Sequence, residues 1–184
     1  SGSLSSFERQ KIEGYLAHKW GLSSALNTSR FIGAEGWTSS HLTGDGDSGI
    51  SAEHNYTCAV SLNGSNKTIN GVIFEGASGT GGTGWQITAG MTSVHNSQTS
   101  TVGGQIGAML SNGMRYAGDP QKIKVSGLTP GKSYVFTLYN QAWEASGREA
   151  TLSCSELSAT ITLNQSQYGS SSQDGLLVNC SYTA

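Results

Sequence analysis

Residues 127–154, GLTPGKSYVFTLYNQAWEASGREATLSC, constrain the fold more than any other stretch of the chain. Leu128-Thr129-Pro130-Gly131 sets Pro immediately before Gly. Proline fixes the φ that the first central position of a type II turn needs, and glycine accepts the positive φ of the second. The run 133–139 then alternates. Tyr134, Phe136 and Leu138 fall on one face, and Val135, Thr137 and Tyr139 on the other. A loop around Trp143 follows, and the run 148–154 puts Ala150, Leu152 and Cys154 on one face. Two runs of period-two patterning joined by a loop predict strands that bury one side.

Composition agrees with a β-rich chain. Only 12% of residues are charged and 35% are hydrophobic. The charged share is about half the usual ~25%. Glycine and small hydroxyl residues fill the gap, which suits short strands, many turns and the hydroxyl-rich surface of a secreted protein. The aromatic, Val, Ile and Thr content is too high for a disordered chain. At 184 residues the chain is one domain, long enough to bury a core without structural metals. A net charge of −2 with no basic run argues against nucleic-acid binding by phosphate neutralisation. No apolar run approaches the ~20 residues of a membrane span.

Strand-like runs recur at 54–62, 67–75, 85–88, 121–125, 133–139, 148–154, 158–163 and 176–183. Asn63-Gly64-Ser65-Asn66 reads as a hairpin turn between the first two. The glycine-rich segment 76–84 is a loop, and 102–116 is a loop with a weak helix or strand. Many short strands with turn signals between them predict an all-β fold, a jelly-roll-type β-sandwich at residues 29–184.

Residues 1–28 differ. Ser5 and Glu8 form a capping-box pattern, Ile12, Leu16 and Trp20 share one helical face, and Gly21 ends the run. A short N-terminal α-helix with such a stripe must dock on something. Its string ERQKIEGYLAHKWGL, residues 8–22, resembles the helical tail that follows laminin-G-like (concanavalin-A-like) sandwich domains in large secreted bacterial proteins. The order of elements from residue 55 onward resembles modules found beside such domains, and GLTPGKSYVFTLYN is similar to strands of malectin-like and galactose-binding-like jelly rolls. These resemblances imply an extracellular or cell-surface setting. They also imply one or two further strands after Ala184, and hence a sandwich with an incomplete edge and a last strand short of a partner.

Catalytic patterns are missing. There is no GxSxG elbow, the glycine-rich loop lacks the Lys-Ser/Thr ending of a phosphate loop, and no carboxylate pair stands out. No enzymatic activity is expected. Asp45 and Asp47, with Glu53 nearby, read either as a solvated turn or as oxygen ligands for Ca2+. Trp143 and Trp85, with Tyr139, Asn140 and Arg148, are the candidates for stacking on and hydrogen-bonding a sugar. Cys58, Cys154 and Cys180 each lie in phase with apolar strand neighbours. They are either buried free thiols or, in an exported chain, include one disulfide, with Cys154 and Cys180 the preferred pair.

Two functions follow from these residues. One is a non-catalytic extracellular module that binds polysaccharide or serves adhesion. The other is a structural subunit that assembles with copies of itself, through the N-terminal helix and an incomplete sandwich edge, into a filament or surface layer.

Overall fold

The structure is a computed structural model that describes residues 36–96, 99–141, 149–164 and 175–184. The N-terminal helix expected within residues 1–28 lies outside the described residues. Among the described residues the fold is all-β and sandwich-like, with one short α-helix.

The main sheet has three strands in the order β1-β13-β10. These are β1 (Trp37–Leu42), β10 (Ser133–Gln141) and β13 (Gly175–Thr183), all antiparallel neighbours. The β10–β13 ladder runs in unbroken register from Ser133↔Thr183 to Gln141↔Gly175. It continues to the last residue, where Gly131 N–H donates to the Ala184 carbonyl at 2.6 Å and Ala184 N–H to that of Lys132 at 3.0 Å. The C-terminal strand was expected to lack a partner. It is instead the middle strand, paired on both sides.

The Pro-Gly turn closes as Lys132 N–H to Thr129 carbonyl, 3.2 Å. Tyr134 reaches back and its hydroxyl accepts the Thr129 N–H at 2.9 Å, which pins the turn to the strand it starts.

The alternation in β10 sorts side chains to two cores. Phe136 and Leu138 join Trp37, Ile161, Leu163, Leu176, Val178 and Cys180 on one face, against the hairpin β11 (Glu149–Leu152) and β12 (Ile161–Asn164). Trp37 anchors this layer: its ring is buried and its indole N–H donates to the Ala159 carbonyl at 3.0 Å. On the other face, Leu42, Leu177 and Tyr139 meet Ile50, Ile69, Phe74, Val102, Ile106, Met109 and Leu110.

That second core is built by β2 (Val60–Leu62), β3 (Lys67–Ile69), β4 (Val72–Ala77) and the helix α1 (Gly104–Asn112). The run 67–75, expected as one strand, is two. Asn70 and Gly71 have φ of 47° and 82°, so they make the tight hairpin between β3 and β4. Both central residues of such a turn need positive φ, which Asn-Gly tolerates best. The turn at 63–66 is therefore not the hairpin: β2 pairs β4 in parallel. The expected strand at 54–62 is also shorter, since only Val60–Leu62 is extended into a ladder.

The remaining strands form two small sheets. One contains β5 (Gly81–Gly82), β6 (Trp85–Ala89) and β9 (Lys122–Val125), and the other β7 (Ser93–His95) and β8 (Met114–Tyr116). Arg115 ties them together. Its guanidinium donates to the Ser78 and Gly79 carbonyls at 2.5 and 2.9 Å, and to that of Met91 at 3.5 Å.

Leu163 is 1% exposed in the β11–β12 layer. Leu163→Ala is expected to cost about 2–5 kcal/mol, from lost burial plus the cavity left behind. Equilibrium denaturation measures this, and a loss below about 1 kcal/mol would mean that the hairpin does not pack on the main sheet as described.

Candidate functional site

Asp45 and Asp47 sit in a single 3-10 turn between β1 and the second core. Helix α1 begins after Gly103, which has no side chain to cap it. Asp45 supplies the cap from a distance: its Oδ2 accepts the Gln105 N–H at 3.0 Å and its Oδ1 the Ile106 N–H at 2.8 Å. A carboxylate there satisfies donors that the first helical turn leaves open and complements the helix dipole. Asp47 closes its own turn. Its carboxylate accepts the Thr43 N–H at 2.8 Å, the Thr43 hydroxyl at 2.7 Å and the Gly44 N–H at 2.9 Å.

Both carboxylates thus face amide and hydroxyl donors, with the geometry of structural acceptors. Glu53 is exposed, and its N–H is held by the Ser51 hydroxyl at 3.2 Å. Among the described residues no group of three His, Cys, Asp or Glu side chains is placed to hold a metal ion.

Burial pushes the Asp47 carboxyl up, but the hydrogen bonds from Thr43 and Gly44 outweigh it, so the group titrates below its ordinary 3.8. A depressed carboxyl stabilises the fold fully above the unfolded value and loses that contribution as pH falls through the folded one.

The expected sugar platform does not assemble from the described residues. Trp85 is 8% exposed, so its ring is packed inward rather than offered to a ligand. A Cβ on Gly82 would lie 2.8 Å from the indole nitrogen, which shows how closely the β5 backbone covers it. Tyr139 also turns inward. Its hydroxyl donates to the Ser48 carbonyl at 2.8 Å, and its ring meets Phe74 edge-on with centroids 6.2 Å apart. Burial and the neighbouring Tyr56 push its hydroxyl well above the ordinary phenol value, so it stays a donor. Both residues take part in packing. Asn140 uses its Oδ1 on the adjacent Gln141 N–H at 2.8 Å. Trp143 and Arg148 lie outside the described residues.

Cys154 and Cys180 come together. Cys180 is 2% exposed in the first core, and Cys154, just past β11, packs against the same cluster. Cys58 is half-buried, and all three cysteines are present as thiols.

The feature that sequence reading placed at the wrong end of the chain is a surface of the main sheet. β10 is nine residues long and, among the described residues, pairs with β13 alone. None of the strands WTSSHL, SYVFTLYNQ and GLLVNCSYT carries Asp, Glu, Lys, Arg or Pro. Val135 is 62% exposed on β10. Beside it, Ser133, Tyr134, Ser181, Tyr182 and Thr183 line an open, shallow depression of about 450 Å³. Deeper along the same face Thr137 donates to Asn179 Oδ1 at 2.7 Å, so the polar side chains of this face bond across the strands. The signal was available in the sequence as a nine-residue run without charge or proline. No helix among the described residues is long and apolar enough to cross a membrane.

The chain matches no known protein family, no curated protein and no solved structure.

Two substitutions test the packing and turn roles. Tyr139→Phe removes the bond to Ser48 and is expected to cost about 1 kcal/mol, read by denaturant unfolding. Asp47→Asn keeps one acceptor oxygen but no charge, and is expected to cost about 1 kcal/mol at neutral pH after allowance for solvent screening. Because the native carboxyl titrates below 3.8, the gap between wild type and Asp47→Asn should hold at neutral pH and shrink as pH falls below that value. A gap independent of pH would assign the effect to shape rather than charge.

Proposed function

We propose that the chain is a non-catalytic extracellular structural module that assembles with copies of itself by adding strands at the free side of β10. One observation carries the reading: a nine-residue, uncharged, proline-free strand in unbroken register, with one side unpaired among the described residues. A strand edge is a row of amide donors and carbonyl acceptors ready for another strand. Proteins that stay monomeric blunt such edges with lysine, proline, a bulge or a short strand. β10 has none of these inside its span, and Lys132 stops just short of it.

Three further points support the reading. The main sheet has no ionised Asp, Glu, Lys or Arg to repel a second copy. Val135 gives an incoming strand an exposed apolar side chain to pack against. The resemblance of residues 8–22 to the tail of laminin-G-like domains implies a secreted, multidomain setting in which modules of this kind are built into larger structures. Of the residues expected to meet a polysaccharide, Trp85 and Tyr139 pack inward, while Trp143 and Arg148 lie outside the described residues.

The test is light scattering and electron microscopy across a concentration series, for wild type and Val135→Lys. The wild type is expected to form oligomers or fibres. Val135→Lys is expected to shift the distribution to monomer while its unfolding free energy stays within about 0.5 kcal/mol, because the site is exposed. A wild type that remains monomeric at high concentration sinks the proposal. So does assembly that Val135→Lys leaves unchanged.

A further inference from the structure

The first core contains a dithiol. Cys180 projects from β13, between Phe136 of β10 and Trp37 of β1 in the ladder. Cys154 follows β11 at a turn closed by Leu157 N–H to the Cys154 carbonyl, 3.1 Å. One residue therefore belongs to the main sheet and the other to the hairpin layer packed on it. Their side chains share one cluster with Trp37, Leu163, Val178 and Leu157.

We propose that Cys154 and Cys180 form a disulfide when the chain meets a disulfide oxidant, covalently tying the β11–β12 hairpin to the middle strand of the main sheet. Cys154 packs against the same cluster that buries Cys180, so oxidation asks two side chains already on facing layers to close to an S–S bond of about 2.05 Å. Both flanking segments are held by backbone hydrogen bonds, which keeps the pair in place in the reduced chain.

The exchange balances with a low-molecular-weight disulfide such as oxidised glutathione. The half-exposed Cys154 loses its proton to solvent, and its thiolate attacks one glutathione sulfur. The S–S bond of the oxidant breaks and one glutathione thiolate leaves. Cys180 then loses its proton and attacks Cys154 Sγ, and the second glutathione leaves as thiolate. Two protein thiols are oxidised and one disulfide is reduced to two thiols. Burial and the neighbouring Cys154 push the Cys180 thiol up to about 12, so it is the slower of the two to act, and the closing step quickens with rising pH. Cys58 is the thiol left over.

The experiment incubates the purified chain in a glutathione redox buffer, quenches with acid, alkylates under denaturing conditions and maps peptides without reduction. Expected are the loss of two alkylatable thiols, a cross-linked peptide containing Cys154 and Cys180 of one molecule, and a rise in Tm of roughly 6–12 °C. Cys58→Ser keeps the cross-link and the shift. Cys154→Ser loses both, and as a half-buried, near-isosteric change it leaves the fold in place as a control for stability. Persistence of three alkylatable thiols at oxidising poise overturns the proposal. A cross-link through Cys58, or one between two molecules, overturns it as well.

Discussion

Everything in the main sheet depends on β13 being buried on both faces and paired on both edges. Residues 175–178 are all buried, and successive side chains feed different cores. Leu176, Val178 and Cys180 pack toward the β11–β12 hairpin, while Leu177 packs toward α1 and the β2-β4-β3 sheet. A central strand of this kind reads as an apolar run rather than an alternation, because it has no solvent face to spend polar residues on. A one-residue slip would exchange the two sets and place Leu177 against the hairpin. The nine-pair ladder to β10 and the six-pair ladder to β1 both resist that slip.

The second core packs on this strand through Leu177, and polar joints fasten its rim and its own short elements. Tyr139 bonds Ser48, Asn70 donates to the Asp45 and Ile50 carbonyls at 2.7 and 3.1 Å, and the Asp45 carboxylate caps α1. Each joint satisfies a backbone group that the short elements leave open. Short strands and a nine-residue helix have many ends for their length, so such groups are numerous here. Small polar residues are the ones that reach them, which gives the Gly-, Ser- and Asn-rich composition a structural use.

Much of the local grammar was legible. The period-two pattern in 133–139 puts Phe136 and Leu138 on one face and Tyr139 on the other, and the packing has them on opposite faces, each against its own core. The Pro-Gly turn and the all-β class also follow from local signals. What failed was anything decided at long range. No strand-like run is read before residue 54, so β1 is missed, and its anchor Trp37 bonds a carbonyl 122 residues away. Helix α1 is weak by propensity, with Gly104 and Gly107 inside it, and takes its cap from Asp45, 60 residues back. Two Asn-Gly pairs compete for one hairpin, and only the geometry shows that Asn70-Gly71 makes it. The sequence did not show that Asp45, Asp47 and Tyr139 bond neighbouring backbone groups or that Trp85 is buried, because polar and aromatic side chains at turns and strand ends look alike whichever way they face. The expected N-terminal helix, and Trp143 and Arg148, fall outside the described residues.

The charge that the chain does carry is distributed unevenly, and that bears on how copies can meet. Lys67, Glu75, Arg115, Lys122, Lys124 and Glu149 lie on the peripheral strands, while β1, β10 and β13 have no such residue. Charge is therefore placed where it keeps the small sheets from pairing and withheld from the main sheet. Pairing of β10 with the β10 of a second copy is antiparallel about a two-fold axis, and by itself closes a dimer. The main sheet has a second free side, because β1 pairs only with β13 among the described residues. If both sides pair, each through its own two-fold, the set closes into a ring where the two axes combine to a closed rotation and otherwise extends. Whether copies stop at two or continue then rests on β1 alone, a six-residue strand with His41 near its end, next to a nine-residue strand with no titratable side chain but its tyrosines. In the proposed assembly the longer edge offers the longer ladder, which favours pairing at β10 over pairing at β1.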